Sequence, residues 1–311
     1  MLGADRRCII SGDIDGIFSA VLATQVFQWQ VVGLYTLNDL WILKECLPPE
    51  TADPQPAIEK ASVVFLDHDI YRSNLDSIGH HMLQWSGDTP IPLHSAGRAS
   101  LNPNLLRGFT KKEFNRKYPF GTFHFLLACS SAWGILGDFD PDDETTTLLL
   151  HIDSSFESGI KYQDNVLDWL EWLGGSERGS PLYPICRRMR RFSPYVVLAE
   201  FRKLADRFRG MGIKPRSQAP LDNPEDPDEI RAIQSLVKWF TDKTEWQSRF
   251  PVFEGGELRH FKMDRHSTKP TKGNFQTVVD AEPFSYAIIG GDDKGLNYNW
   301  FEGHTPPTMP V

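Results

Sequence analysis

Cysteine is scarce in this sequence: Cys8, Cys46, Cys129 and Cys186 are the only four among 311 residues. They lie far apart and form no CxxC pair, which excludes a compact disulfide scaffold and a thiolate zinc knuckle. Four reduced thiols and a cytoplasmic location are expected. Long apolar runs are missing too. The N-terminal stretch carries Asp5, Arg6 and Arg7 and soon meets Asp13 and Asp15, so it reads neither as a signal peptide nor as a membrane span, and no other stretch is long enough to cross a bilayer. Positive charge is not in excess: 33 Lys and Arg face 41 Asp and Glu, a formal net charge of −8. A basic coat for nucleic acid needs the opposite balance, so only a local basic groove is compatible with this chain. No internal repeat is present.

The length allows one large or two ordinary domains, and a hydrophobic share of 40% is that of a globular chain. The first half alternates β-rich runs with helical patterns. Strands are expected at 8–11, 31–37 and 62–66, and helices at about 16–28 and 41–47. That alternation predicts βαβ units and an α/β fold with a mostly parallel sheet flanked by helices. Residues 123–136 read as a buried helix, 146–152 as a core strand and 162–173 as an amphipathic helix. Gly174, Gly175, Ser176 and Gly179 mark a boundary. The expected organisation is therefore an α/β domain over 1–175, a helical linker or insertion over 176–250, and a small mixed α/β C-terminal domain over 251–311. Within these, 195–209 and 228–246 read as helices separated by a Pro-, Asp- and Asn-rich loop at 215–227, and 275–279, 286–290 and 296–301 read as strands.

The run Ser11-Gly12-Asp13-Ile14-Asp15-Gly16 follows an apolar strand and opens an apolar helix. Both carboxylates should sit at the carboxyl end of that strand, where open α/β sheets place ligands. Each can reach a hard cation, and the helix N-terminus favours phosphate. The alternative is a helix-capping Asp with a charged neighbour. Val63-Val64-Phe65-Leu66-Asp67-His68-Asp69 repeats the pattern, a buried-looking strand ending in metal-ligand residue types. His80 and His81 offer imidazole nitrogens, although an adjacent pair is more often an ordinary surface feature. Leu148-Leu149-Leu150-His151-Ile152-Asp153 reads as one more core strand ending in a carboxylate. Clustered carboxylates repel one another unless cations neutralise them.

These residues resemble the motifs of the DHH phosphoesterase superfamily, which includes RecJ-type exonucleases, oligoribonucleases, cyclic-dinucleotide phosphodiesterases and family II inorganic pyrophosphatases. The resemblance covers roughly residues 6–175. Asp13 and Asp15 match the first motif, Asp67 the second, His80 and His81 the last two letters of the third, and Asp153 is the candidate for the fourth. The Asp67-His68-Asp69 triplet also looks like the pyrophosphatases' second motif, and Leu101-Asn102-Pro103 like the Asn-Pro that often follows the third. Two positions depart from the pattern: Ile9 and Ser11 stand where the family carries a His, and Gly79 stands where the third motif begins with Asp. A different register is open, in which Asp67-His68-Asp69 is the third motif and Asp39 the second.

The resemblance implies a metal-dependent phosphoesterase with two Mn²⁺ or Mg²⁺ ions bound by Asp13, Asp15, Asp67, His80 and Asp153. Asp67 and Asp153 would bridge, and His81 with Arg98 would act as catalytic groups on the phosphate. The expected partner is single-stranded nucleic acid or a short oligonucleotide. A homo-oligomer or a protein partner remains open, and a membrane is not expected. Basic residues gather at Arg187, Arg188, Arg190 and Arg191 and again at Arg202, Lys203, Arg207 and Arg209, with Lys269 and Lys272 later. They read either as a solvated helix face or as a groove tracking a phosphodiester backbone. Trp41, Trp85, Trp133, Trp169 and Trp172 read as core or interface. Ile289-Gly290-Gly291-Asp292-Asp293 is a weak match to the family's Gly-rich substrate motif. Two other functions stay open: hydrolysis of a small phosphoanhydride or nucleotide, and a DHH-fold binding subunit without catalysis.

Overall fold

The structure, a computed structural model, describes residues 6–48, 54–72, 74–87, 100–191, 193–214, 218–247, 256–304 and 307–309. Short runs rich in β-branched, aromatic and aliphatic residues form nine strands among them: β1 (Arg7–Ile10), β2 (Gln30–Tyr35), β3 (Asp39–Leu43), β4 (Val63–Leu66), β5 (Asp76–Ile78), β6 (Ser100–Leu101), β7 (Leu258–Thr268), β8 (Ser285–Ile288) and β9 (Leu296–Phe301). Eleven α-helices accompany them: α1 (Ile14–Phe27), α2 (Pro54–Lys60), α3 (Pro103–Leu106), α4 (Thr122–Ala132), α5 (Asp143–His151), α6 (Ser155–Lys161), α7 (Gln163–Trp172), α8 (Tyr183–Arg190), α9 (Pro194–Gly210), α10 (Pro227–Thr244) and α11 (Lys272–Asp280).

All nine strands belong to one sheet in the order β6-β5-β4-β1-β2-β3-β7-β9-β8. The pairs β1–β4, β4–β5 and β5–β6 are parallel. The pairs β2–β3, β3–β7, β7–β9 and β8–β9 are antiparallel. The fold is α/β as expected, but the sheet is mixed with a parallel core rather than mostly parallel. All four residues of β4 are buried, as befits a parallel strand covered on both faces, whereas β7 alternates exposed positions with buried Phe261 and Met263.

The chain divides into two compact units, one of Met1–Ser11, Val32–Lys117 and Phe253–Val311 and one of Gly12–Val31 and Tyr118–Val252. In the first, Ile9, Val32, Tyr35, Phe65, Phe284 and Phe301 belong to one buried cluster. Tyr35 meets Phe65 and Phe284 edge-on at centroid distances of 6.0 and 5.7 Å. The second unit is helical. Phe18 of α1 contacts Phe240 of α10 and Phe123 of α4 at 4.6 and 6.1 Å. Twelve of the fourteen α1 residues are buried, the pattern of a helix covered all round.

Several sequence expectations require correction. The separate C-terminal domain is not seen: β7 pairs with β3, β8 and β9 extend the same sheet, and Phe284 and Phe301 enter the cluster that holds Ile9 and Phe65. Residues 146–152 are not a strand but most of α5. The Thr-Thr-Thr-Leu-Leu-Leu run has no decisive period, and the side chain of Asp142 captures the Thr145 N–H at 2.7 Å to start a helix. Residues 275–279 lie in α11, which Thr271 caps by accepting from the Asn274 N–H at 3.1 Å. The helix expected at 41–47 is β3 followed by a 3-10 turn at Lys44–Cys46, since Trp41 and Ile42 pair with β7. Trp41 and Trp169 are buried, but Trp133 and Trp172 are 51% and 42% exposed and are not core. All four cysteines are free thiols. Among the described residues no helix is long and apolar enough to cross a membrane.

Candidate metal centre

Asp13 and Asp15 take different tasks although one residue separates them. Asp13 is extended (φ −88°, ψ 173°) and caps α1, its carboxylate accepting the Gly16 N–H at 2.8 Å. The capping alternative thus describes Asp13. Asp15 points elsewhere: buried, it accepts the N–H groups of Thr122 at 2.6 Å and Phe123 at 2.8 Å, the first two residues of α4. These are orphan donors of a helix start, and a carboxylate there also meets the positive end of the helix dipole. The approach is close enough that a Cβ at Gly121 would lie 2.5 Å from the Asp15 carboxylate.

Asp67 follows β4 with φ +62°, a left-handed conformation that Asp tolerates better than most residues. The Asp67 and His68 N–H groups both donate to the Ile78 carbonyl, at 2.7 and 3.2 Å, which fixes this turn against the end of β5. The buried Asp67 carboxylate accepts the Ser11 hydroxyl at 2.7 Å and lies 3.1 Å from His80 Nδ1. Ser11 therefore serves as a hydrogen-bond donor to the Asp67 carboxylate.

Asp69, buried two residues on, organises the His80–His81 pair. It accepts from Ser100 Oγ and Asn102 Nδ2, both at 2.9 Å, and from the His81 N–H at 3.2 Å, while His81 Nδ1 lies 3.4 Å away. Burial alone would raise its pKa, but the hydrogen bond and charge of His81, the Asn102 amide and the charge of His80 together hold it below the usual carboxylate range. Asn102 also caps α3 and donates to the His81 carbonyl at 2.9 Å, and Asn104 donates to the His80 carbonyl at 2.8 Å. The Leu-Asn-Pro segment is thus the brace of the two histidines, whose rings stack at 4.3 Å.

Asp15, Asp67 and His80, all buried, each present one ligand atom, and these atoms lie within 4.8 Å of one another. This group could hold one metal ion. Two carboxylate oxygens and one imidazole nitrogen suit Mn²⁺ or Mg²⁺, and a cation offsets the repulsion between the buried carboxylates. The other expected residues have these settings. Asp13 is occupied as a cap. Asp153 is exposed at φ +50° in the turn between α5 and α6, not at the end of a strand. His81, its side chain 34% exposed, faces Asp69. Asp39, the alternative second-motif residue, is bound on the sheet by Lys262 at 2.5 Å and His260 at 2.7 Å. Arg98 lies outside the described residues.

Sequence reasoning missed the supporting donors: Ser11, Ser100, Asn102 and the α4 N-terminus. Only the Leu-Asn-Pro match carried any signal of them. Of the basic run, Arg188 pairs with Asp143 and Glu200, Arg190 with Glu171, Arg207 with Glu144 and Arg209 with Asp206. Much of its charge is spent on ties within the helical unit. Gly290 and Gly291 belong to the β8–β9 turn, where the Gly290 carbonyl accepts from Lys111 at 3.1 Å.

No protein-family model, curated protein or solved structure matches the chain.

Proposed function

We propose that this protein is a divalent-metal-dependent phosphoesterase that hydrolyses phosphodiester bonds in single-stranded nucleic acid or short oligonucleotides in the cytoplasm. The observation that carries the reading is the buried Asp15–Asp67–His80 group. The DHH-type motifs support it, because those three residues were singled out by their pattern in the sequence. In this reading Asp15, Asp67 and His80 hold one Mn²⁺ or Mg²⁺ ion. When bound, such ions neutralise charge on the phosphoryl oxygens and make water acidic enough to attack near neutral pH. The protein's own part is positional. Ser11 holds the Asp67 carboxylate, the α4 N–H groups hold Asp15, and Asp69 fixes the ring of His81, which donates to the phosphate.

The test is calorimetric Mn²⁺ binding together with Mn²⁺-dependent hydrolysis of bis-p-nitrophenyl phosphate and labelled single-stranded oligonucleotides. Wild type should bind and turn over, and Asp67→Ala and His80→Ala should lose both. Turnover that survives both substitutions would overturn the assignment. Pyrophosphate as substrate, with a salt titration of any oligonucleotide binding, separates a nuclease from a hydrolase of small phosphoanhydrides.

A second reading, a metal-binding subunit without catalysis, is favoured by one observation. Both oxygens of Asp15 already accept backbone N–H groups and Asp13 is engaged as a cap, which suits a structural ion. Mn²⁺ binding without turnover on any of these substrates would select it.

A further inference from the structure

The helical unit contains a cavity of about 990 Å³ between α9 and the α5–α6 turn. Its size is at the upper end of small-molecule sites, roughly 300–1,000 Å³. His151, Ser154, Phe156, Phe201, Arg202 and Gln218 line it, with aliphatic side chains of α9 between them. None of the metal-binding group takes part.

Four features mark it as built for a ligand. Phe156 and Phe201 lie 4.2 Å apart between ring centroids and Phe201 lies 5.7 Å from the His151 ring, so one wall is an aromatic cluster. Gln218 supplies a polar edge whose amide is poorly used: its Nε2 reaches His151 Nε2, the His151 carbonyl and Ser154 Oγ only at 3.3–3.4 Å. Asp153 and Ser154 are consecutive non-glycine residues at φ +50° and +51°, strain of the kind that accumulates at ligand sites. Last, Arg202 is exposed and has no ion-pair partner among the described residues, whereas Arg207 and Arg209 of the same helix are paired. The acids beside it are neutralised, Asp206 by Arg209 and Glu157 by Lys161. The cavity therefore combines aromatic walls, an amide edge and one uncompensated cation.

We propose that this cavity binds a nucleoside monophosphate, its base against Phe156 and Phe201, the base edge on Gln218 and Ser154, and its phosphate on Arg202. The inference goes beyond the phosphoesterase reading and does not rest on it. A free carboxylate or phosphate alone would leave the aromatic wall unused, and an apolar molecule would leave the Arg202 guanidinium without an anion. The site is also tied to the first motif. The Gln218 carbonyl accepts the Ile14 N–H at 2.7 Å, and the Leu221 N–H donates to the Gly12 carbonyl at 3.0 Å, so the cavity edge and the Asp13 turn are fixed together.

The experiment is titration calorimetry of the full chain in EDTA with the adenosine, guanosine, cytidine and uridine 5′-monophosphates, with the parent nucleosides and inorganic phosphate beside them. At least one monophosphate should bind, more tightly than its nucleoside and than phosphate. Arg202→Ala, at an exposed position that leaves folding intact, should weaken the monophosphate by roughly tenfold, the size of one charge-assisted contact, and leave the nucleoside unchanged. Gln218→Leu should weaken both, and Asp67→Ala neither. Absence of binding by all four monophosphates, full affinity in Arg202→Ala, or loss in Asp67→Ala would each overturn the proposal. Because EDTA removes metal, these outcomes are independent of whether the phosphoesterase reading stands.

Discussion

The Asp69 carboxylate lies over the backbone of Gly79, so close that a Cβ at position 79 would sit 2.5 and 2.6 Å from its two oxygens. The carboxylate that follows the neighbouring strand thus fills the space a side chain at position 79 would need.

Gly79→Ala should therefore destabilise the protein, by about 1–3 kcal/mol as overpacking does, and Gly79→Asp by more because it also sets like charges together. Urea denaturation measures both. In a double-mutant cycle, Asp69→Ser should relieve most of the Gly79→Ala penalty. Equal penalties in the two backgrounds would show that the carboxylate is not what position 79 meets.

Asp15 serves α4 as well as the metal group. Asp15→Ala should cost on the order of 2 kcal/mol of metal-free stability through the lost N–H acceptors, since caps are worth about 1 kcal/mol and charge-assisted bonds more. Asp13→Ala, losing the capping bond to Gly16, should cost about 1 kcal/mol. His80→Ala should remove metal affinity with a smaller loss of stability in EDTA. If Asp15→Ala and His80→Ala lose equal stability in EDTA, the α4 cap contributes little.

Metal should stabilise the folded chain by mass action. At a Mn²⁺ concentration 100 times its Kd the gain is about 2.7 kcal/mol, visible as a rise in Tm that EDTA reverses. Asp67→Ala should show no such rise. An identical Mn²⁺-dependent shift in that variant would place the ion elsewhere.

The parallel core and the carboxylates at its strand ends were legible because apolar runs such as Val63–Leu66 stop abruptly at ligand residues. Asp153 was not, because Thr146–Leu150 has the composition of a strand, and only the Asp142 cap decides for a helix. The division of labour between Asp13 and Asp15 was also hidden. It depends on α4, more than a hundred residues away in sequence, presenting its first N–H groups to one carboxylate and not the other. The mixed sheet was missed for a similar reason: β3 and β7 meet only through long-range pairing, and each is too short or too alternating to announce its neighbour.

Two buried imidazoles predict how the protein responds to acid. Burial lowers the pKa of His68 to about 3 and that of His151 to about 4, so both are neutral in the fold. In the unfolded chain each titrates near 6.5. Between these values the unfolded state binds more protons, and stability rises with pH. Their contribution is complete above about pH 6.5 and is lost progressively as pH falls toward 4 and then 3. At pH 5 the loss is on the order of 2 kcal/mol for each histidine. The carboxylates act later: Asp142, held down to about 2 against the opposing effect of burial by Lys243 and the Thr145 N–H, stays ionised through this range. Urea denaturation at pH 7 and pH 5 should therefore show a drop that His151→Leu reduces by roughly half. A drop of the same size in His151→Leu would mean that this imidazole is not held neutral in the fold.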